Sequence, residues 1–378
     1  MISLMRLRAV ARKEFLHIVR DPRSLGLALA LPMVLMLLFG YALSLDVDRV
    51  GLLVLDQCDT NLSRDFVSRF TGSRYFQLAR YISSYIDIER AFDRREAVLA
   101  LIIPQAFHRD LGAGRSVTVQ IVADGSDANT ATIALGYAEA VIAAFSGDIL
   151  LEQLRRQGRK PPDTPVEMRP RAWYNPDMES RLFIIPGVMA VVLMIIAGLL
   201  TPLSVAREWE TGTMEQLIST PVSRAELVLG KLSPYFAIGM LDVVLTLFAS
   251  RFLFAVPMRG NPLLLLTIAA VYLAAGLGLG IFLSIVTRNQ LLASQAAMVA
   301  TFLPAMLLSG FISPISQMPG FVQAVTRAFP ARYFVTVLKG IQLKGLGIQA
   351  LQDEILLLLL FASCFILLSI FFFRKNLE

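Results

Sequence analysis

The sequence predicts an integral membrane α-helical protein, with six transmembrane helices and an α/β extracytoplasmic domain inserted between helices 1 and 2. Of its 378 residues, 56% are hydrophobic and the mean hydropathy is +0.63, values that exclude an ordinary soluble globular protein. Six apolar runs are long enough to cross a hydrocarbon core of about 30 Å. A polar stretch, 46–180, separates the first run from the other five.

Residues 1–23 precede the first apolar run and are strongly basic. Arg6, Arg12 and Lys13 are set among apolar residues such as Phe15, a pattern typical of an amphipathic helix. Basic residues are attracted to the anionic lipids of the cytoplasmic leaflet. The segment therefore predicts an interfacial helix on the cytoplasmic surface of the membrane.

Residues 24–45 are the first predicted transmembrane helix. A cleaved signal peptide is the alternative, because the residues at 42–44 (Ala-Leu-Ser) resemble a cleavage site. However, the apolar core at 25–41 exceeds the roughly 7–15 residues that are usual in a signal peptide, and the basic segment before it is long. We therefore expect a retained membrane anchor.

Residues 46–180 predict the α/β domain. Short apolar or alternating stretches, which predict strands, are separated by longer segments with helical periodicity. The strands are predicted at 51–56, 75–81, 98–103 and 116–123, and the helices at 61–70, 86–95 and 130–155. No glycine fingerprint follows the first strand, so dinucleotide binding is not supported. A linker rich in proline and charge, 158–170, leads back to the membrane.

Five more transmembrane helices follow, and the distribution of Lys and Arg predicts their orientation. The helices are predicted at about 182–205, 232–256, 262–286, 291–312 and 355–373. By the positive-inside rule, both termini, the tail 374–378 and the loop 207–231 are cytoplasmic, and 46–180 is extracytoplasmic. Residues 314–352 are predicted outside although they carry four basic residues, and they are the one discordant segment.

The net charge of +6 does not indicate nucleic-acid binding. Residues 46–180 hold 16 Lys and Arg against 19 Asp and Glu, and the rest of the chain holds 19 against 10. The basic residues therefore collect around the apolar runs, as membrane topology demands. Cys58, Cys364, His17 and His108 have no metal-ligand spacing, and they predict neither a disulfide nor a metal site.

The polar segment 207–231 lies between two long apolar runs and is rich in acids. These acids are Glu208, Glu210, Glu215 and Glu226. Trp209 is expected to anchor the segment at the membrane interface. An ordinary cytoplasmic loop would also be polar, so composition and spacing alone leave that alternative open.

Several residues of this segment predict a short helix with defined ends. Thr213 with Gln216 predicts a capping box at its start, and Gly212 would end the helix before it. Thr220-Pro221 would end the short helix. Its predicted buried face consists of Met214, Leu217 and Ile218. A second capping box, Ser223 with Glu226, would start the next transmembrane helix.

The chain lacks a phosphate-binding loop. Gly230-Lys231 is its one Gly-Lys pair, but Leu232 follows where Ser or Thr is needed, and Ala225 stands at the position of the first glycine. If ATP drives the function of this chain, the ATPase must therefore be another polypeptide. We expect no cofactor on this chain and no covalent chemistry.

The apolar runs contain three closely spaced glycines and one carboxylate. Gly276, Gly278 and Gly280 predict close helix packing between transmembrane helices. Asp242 lies near the middle of the third predicted transmembrane helix, where a charge is costly and a place on the translocation path is one hypothesis. The alternative is a hydrogen bond to a polar residue of a neighbouring helix, such as Gln295.

The order of residues in 208–221, E-x-E-x-G-T-x-E-x-L-x-x-T-P, resembles the coupling loop of ABC type-2 transporter permeases, and further stretches share this resemblance. They are 124–131 (DGSDANTA), 171–176 (RAWYNP), 256–260 (VPMRG), 309–319 (SGFISPISQMP) and 329–345 (FPARYFVTVLKGIQLKG). Ser313 and Gln317 stand where the family often has Phe and Glu. The resemblance is to the multidrug-efflux-like subgroup with a large extracytoplasmic domain.

The resemblance implies a permease subunit of an ATP-driven exporter in the bacterial inner membrane, which expels drugs or amphipathic compounds. ATP and Mg would be bound by a separate ATP-binding cassette subunit. A second permease, identical or a sister chain, would complete the transporter, and a periplasmic adaptor with an outer-membrane duct could dock outside. The residues implied to couple the ATPase are Glu208, Glu210, Gly212, Thr213, Glu215, Leu217, Thr220 and Pro221.

Alternatives stay open at this point. Within the same family, the cargo could be sodium ions or a lipid-linked glycan. An ion-driven secondary transporter would need several intramembrane carboxylates, and Asp242 alone qualifies. A membrane-anchored sensor would use 46–180 to bind a ligand, but it would rarely need five further transmembrane helices.

Overall fold

The computed structural model describes residues 3–42, 49–156, 173–176 and 179–373. The chain divides into two compact units. Residues 1–44 with 171–378 make the helical unit, and residues 45–170 make the α/β unit, which ends before the predicted boundary at 180. The predicted fold class, a helical membrane protein with an inserted α/β domain, is confirmed. The predicted linker and tail lie outside the described residues.

Among the described residues, helices alone form both ends of the chain, and four strands alternate with helices between them. In order they are α1 (Leu4–Val19), α2 (Pro22–Ala42), β1 (Val50–Asp56), α3 (Asn61–Thr71), β2 (Phe76–Tyr81), α4 (Tyr85–Asp93), β3 (Leu99–Ile103), α5 (Phe107–Gly112), β4 (Gln120–Ala123), α6 (Ala128–Arg156), α7 (Ser180–Leu200), α8 (Pro202–Glu210), α9 (Thr213–Ile218), α10 (Arg224–Phe252), α11 (Pro262–Thr287), α12 (Gln290–Leu307), α13 (Gly320–Thr326), α14 (Pro330–Lys339) and α15 (Gln352–Phe372). Short 3-10 or π turns lie at Ile315–Gln317, Gly340–Lys344 and Ile348–Leu351.

The α/β unit is built on a four-stranded sheet in the order β2–β1–β3–β4. β1 pairs in parallel with β2 and β3, and β3 pairs antiparallel with β4. Every residue of β3 is buried, as expected for a central strand that is covered on both faces. The predicted strand 116–123 is shorter in the structure, since β4 begins at Gln120, and the sequence did not predict α5.

Helix α6 is apolar enough to resemble a transmembrane helix, but it belongs to the α/β unit. Ala134, Ala138 and Phe145 are buried in one cluster with residues of β1 and β3. The carboxylate of Asp127 caps the start of α6, where it accepts hydrogen bonds from the hydroxyl and the backbone N–H of Thr130. These bonds, that of the hydroxyl above all, hold the pKa of Asp127 below its usual range. We therefore retain the prediction that the first transmembrane helix lies in α2.

Six helices among the described residues are long and apolar enough to cross a membrane, by length and composition. They are Ala128–Arg156, Ser180–Glu210, Arg224–Phe252, Pro262–Thr287, Gln290–Leu307 and Ile348–Phe372. The last five correspond to the predicted transmembrane helices 2–6. Helix α2 contributes a shorter apolar stretch, Ala28–Ala42, in its described part.

The second predicted transmembrane helix, 182–205, is interrupted in the structure. It divides at Thr201 into α7 and α8, because Pro202 has no N–H to continue the helical hydrogen bonds. Ser284 of α11 compensates for the break. Its hydroxyl oxygen accepts from the N–H groups of Val205 and Ala206, at 3.2 and 2.9 Å, and its hydroxyl donates to the carbonyl of Pro202. The first turn of α8 is thereby fixed to α11.

The segment 314–352 also departs from an ordinary loop. Its helix α14 has six buried residues and packs against α7, α11 and α15. The ring of Phe334 stacks on Tyr272 of α11 at 4.0 Å, and the Tyr272 hydroxyl donates to the carbonyl of Ala190 in α7 at 2.8 Å. This segment is therefore part of the helical core.

The glycines of α11 lie at close helix contacts. A Cβ atom at Gly276 would stand 2.8 Å from Cβ of Ala197, and one at Gly280 would collide with the hydroxyl of Thr201. Both neighbours lie at the C-terminal end of the α7 region. Such small residues let two backbones approach closely.

We expect Gly280→Ala to destabilise the protein by about 1–3 kcal/mol, the usual cost of forcing extra volume into a packed core. The matched control is Gly26→Ala in α2, where a Cβ would meet nothing within 4 Å. Thermal unfolding of the purified protein in detergent measures both. Equal melting temperatures for the two variants would contradict the close packing of α7 against α11.

Candidate functional site

The predicted coupling loop, 207–231, is mostly helical in the structure. We call these residues the coupling segment. It contains the end of α8, the whole of α9 and the first turns of α10. Gly212 adopts a left-handed conformation with φ 72° between α8 and α9, so the prediction that it ends the arriving helix is confirmed.

One of the two predicted capping boxes forms. The Ser223 side chain accepts from the N–H of Glu226 at 3.3 Å, and the Glu226 carboxylate accepts from the N–H of Ser223 at 2.7 Å. The predicted box of Thr213 with Gln216 is wrong. Gly212, which has no side chain, is the N-cap of α9, and Thr213 is already its first residue. The Thr213 hydroxyl lies 3.1 Å from that of Thr211 instead.

Helix α9 has one buried face and one exposed face. Met214 is fully buried, and Leu217 and Ile218 pack around the same apolar cluster, as predicted. That cluster includes Val205 of α8 and Leu227 of α10, so α9 is anchored to the helices on both sides of it. The exposed face consists of Glu215, Gln216 and Ser219.

Glu208 points into the protein, where it meets a buried lysine. Nζ of Lys231 lies 2.7 Å from Oε2 of Glu208, 2.8 Å from Oε1 of Glu14 and 3.2 Å from the carbonyl of Ser204. Lys231 is 1% exposed; it donates to Glu14 and to the carbonyl of Ser204, and its contact with Glu208 is an ion pair. Lys13 contacts the other oxygen of Glu208 at 2.6 Å.

We call Lys13, Glu14, Glu208 and Lys231 the charge cluster. Its two acids and two bases balance, which offsets the cost of removing charges from water. The cluster joins α1, α8 and α10. Sequence reasoning missed it, since Glu14 and Lys231 are 217 positions apart. The one signal was an acid, Glu14, placed within a strongly basic helix.

Helix α1 therefore packs against α10 rather than serving only as a surface helix. Val10 meets Gly230 of α10, where a Cβ would stand 2.8 Å from Cβ of Val10. Near the start of α1, Arg6 donates to the carbonyl of Pro221, and the N–H of Ser3 donates to Glu226. Apolar residues such as Leu4 and Phe15 remain exposed on α1, so its predicted place at the membrane surface stays a prediction.

Glu210 connects the coupling segment to α12. Its carboxylate accepts from the backbone N–H of Gln290 at 2.8 Å and from the side chain of the same residue. A carboxylate at the start of a helix also interacts favourably with the helix dipole. Arg288 lies beside this contact, with its guanidinium 4.6 Å from the ring of Trp209. The predicted role of Trp209 as an interfacial anchor stays a prediction.

Of the four acids in the coupling segment, Glu215 alone lies on the exposed face of α9. Its side chain makes no hydrogen bond or ion pair with the described residues. Glu208 and Glu226 are buried, and Glu210 binds α12. Three of the four acids thus serve mainly to hold the segment in place.

The other predicted coupling residues lie close to Glu215 along the segment. Among them, Thr220 donates to the carbonyl of Leu217 at 2.6 Å.

Asp242 and Gln295 are not brought together. Asp242 is fully buried in α10, and neither of its carboxylate oxygens has a hydrogen-bond partner in the described part of the chain. Gln295 is exposed on α12. The hydrogen bond between them that served as the alternative explanation is therefore not seen. A buried carboxylate without a partner is costly, which favours a functional explanation.

The sequence model of the ABC-2 family transporter proteins matches residues 22–371. The chain belongs to this family. It is 37% identical to the probable multidrug ABC transporter permease YbhS of Escherichia coli K12, over 97% of this chain and 96% of that protein. It is 27% identical to the probable multidrug ABC transporter permease YbhR of the same strain, over 93% of both. The linearmycin resistance permease protein LnrN of Bacillus subtilis is 23% identical over 94% of this chain and 96% of that protein.

This family membership confirms the resemblance seen in the sequence. The chain is an ABC-type permease, a transport component and a multi-pass membrane protein. An ABC permease works with an ATP-binding cassette, so the family implies such a partner.

We expect Lys231→Met to destabilise the helical unit by about 3–5 kcal/mol, because it leaves buried carboxylates without their counter-ion. The control is Arg64→Met, which removes an ion pair with Asp59 whose side chains are 61% and 80% exposed. Such an exposed pair contributes about 0–1 kcal/mol. Thermal unfolding in detergent compares the two, and a loss in Lys231→Met no larger than in the control would show that the charge cluster is not needed for stability.

Proposed function

We propose that this chain is the permease subunit of an ATP-driven exporter of the bacterial inner membrane. In this proposal the coupling segment receives the movement of a separate ATP-binding subunit. The observation that carries the proposal is the structure of α9, a short helix with one face anchored in the core and the other exposed. A partner subunit can dock on such an exposed, polar surface and push on it, because the helix is firmly anchored.

The anchoring of α9 provides routes by which a push could spread. Glu210 connects the segment to α12, since its carboxylate binds the start of that helix. The charge cluster connects it to α10 and α1 through Lys231. Ser284 connects the start of α8 to α11. A displacement of α9 would therefore be transmitted to four helices rather than absorbed by a flexible loop.

The partner would bind ATP and Mg, because this chain has no Gly-Lys pair followed by Ser or Thr. A second permease would complete the transporter, and a periplasmic adaptor with an outer-membrane duct would dock on the α/β unit. The names of YbhS and YbhR, which describe multidrug permeases, support drugs or amphipathic compounds as the exported class.

Glu215→Lys tests the docking face of α9. Its exposed carboxylate is expected to meet a basic groove of the partner, where a lysine would place like charges together at a cost of several kcal/mol. We therefore expect association with the ATP-binding subunit to weaken about tenfold or more. Co-purification and substrate-stimulated ATPase activity measure the effect. Glu139→Lys, an equal charge change on an exposed position of α6, is the control. Association as strong as in the control would mean that α9 is only a connector.

Single cysteines test the proposed topology. Ser126→Cys in the α/β unit and Ser219→Cys in the coupling segment both lie at exposed positions. In a background with Cys58→Ser and Cys364→Ser, an impermeant maleimide added to cells with a permeabilised outer membrane should label Ser126→Cys and spare Ser219→Cys. Disruption of the inner membrane should expose Ser219→Cys to labelling. The reverse pattern in intact inner membranes would overturn the orientation.

Asp242→Asn tests the proposed translocation path. If the carboxylate lines the path, Asn should impair export while the protein still folds and assembles. If Asp242 only packs helices, Asn should nearly replace it, since the two side chains have almost the same shape and Asp242 makes no hydrogen bond with the described residues that Asn would lose. Ser250→Ala is a control on the same helix, because its buried hydroxyl has no hydrogen-bond partner among the described residues. Unchanged export by Asp242→Asn in proteoliposomes would remove Asp242 from the path.

A further inference from the structure

The helical unit contains a cavity of about 540 Å³ beside the charge cluster. Helices α1, α2, α7, α8 and α10 all contribute to its wall. The volume is within the range of about 300–1,000 Å³ that is usual for small-molecule sites. The cavity reaches Thr211 and Thr213, so it borders the junction between α8 and α9.

Aliphatic side chains from three helices form part of the cavity wall. They are Ala28 and Leu31 of α2, Ile196, Leu199 and Leu200 of α7, and Leu203 of α8. A surface of this composition excludes water and favours a hydrocarbon chain.

Charged residues also line the cavity, namely the acids Glu14, Asp21 and Glu208 and the bases Lys13 and Arg207. The acids Glu14 and Glu208 are already paired with Lys231 and Lys13, and Asp21 is engaged in an interaction of its own. Arg207 is different. Its guanidinium meets a side-chain amide, that of Gln290, at 3.5 Å, and it has no carboxylate partner among the described residues.

His17 adds a second donor to the cavity wall. It is exposed on α1 and makes no hydrogen bond or ion pair with the described residues. A guanidinium and an imidazole that line the same cavity as the aliphatic side chains are complementary to a molecule with an anionic head and an apolar tail.

We propose that this cavity binds an anionic amphiphile with one hydrocarbon chain. Its carboxylate or phosphate head lies against Arg207 and His17, and its chain lies along α2 and α7. A ligand in this position touches α1, α2, α7 and α8 together, directly beside the charge cluster. The site goes beyond the proposed export function, because binding here requires neither the ATP-binding subunit nor transport.

The chemistry gives two quantitative expectations. Each methylene that packs against the aliphatic side chains should tighten binding by up to about fourfold, which corresponds to the usual gain for burying a CH₂ group. Replacing Arg207 should weaken binding of an anionic head by about tenfold or more, since hydrogen bonds to charged groups are the strong ones. A cationic head of the same chain length should bind no better than the chain alone.

The test uses the full-length chain in nanodiscs of neutral phosphatidylcholine and a fatty acid with a diazirine near the end of its chain. After photolysis, peptide mapping should place the adducts on α2 and α7. Dodecyl phosphate should compete more strongly than octyl phosphate, and dodecyltrimethylammonium should compete poorly. Equal competition by a fatty acid and an alkyl phosphate would show that the site recognises the negative charge that the two heads share. Unequal competition would identify which of the two head groups the site prefers.

Two variants separate a built site from general contact with lipid. Leu203→Trp should fill the cavity and abolish the adducts, whereas Leu241→Trp, at an exposed position of α10, should leave them unchanged. Arg207→Gln should lower affinity for the anionic probes and not for dodecanol. Thermal unfolding confirms that each variant is folded. Adducts spread over exposed apolar residues, with no effect of Leu203→Trp, would overturn the proposal.

Discussion

The structure of the coupling segment depends on the burial of one ammonium group, that of Lys231. A lysine in this position must be surrounded by oxygens, and the three that it meets come from Glu14 of α1 and from Glu208 and Ser204 of α8. Three helices that are distant in the chain are thereby required to meet. The position of α8 in turn places Gly212, and the left-handed turn at Gly212 directs α9 back over the apolar cluster.

This arrangement explains why the connection between two transmembrane helices is rich in acids. Glu208 balances the buried lysine, Glu210 binds the start of α12, and Glu226 closes a capping box and receives the amino-terminal end of α1. The acids give the segment fixed connections in three directions. A segment held in this way can transmit a force, and the one acid that remains directed outward, Glu215, lies on its exposed face.

Sequence patterns predicted the elements whose causes are local. Alternation and apolar runs located β1 and β3, and helical spacing predicted the buried face of α9, because each depends on neighbours within a few residues. The break at Pro202 and the fate of the acids were missed. Spacing shows which residues share a face but not what that face meets, and the partners of Glu208 and Glu210 lie on other helices.

We expect α9 to move together with α1 when the ATP-binding subunit acts, because Arg6 binds Pro221 and the charge cluster joins α1 to α8. Pulsed electron paramagnetic resonance on Arg12→Cys and Gln216→Cys, two exposed positions on α1 and α9, measures the distance between these helices directly. In the assembled transporter, we predict one narrow distance that is the same without nucleotide and with ATP. A shift of about 5 Å, one helical turn, on addition of ATP would show that α9 moves independently of α1.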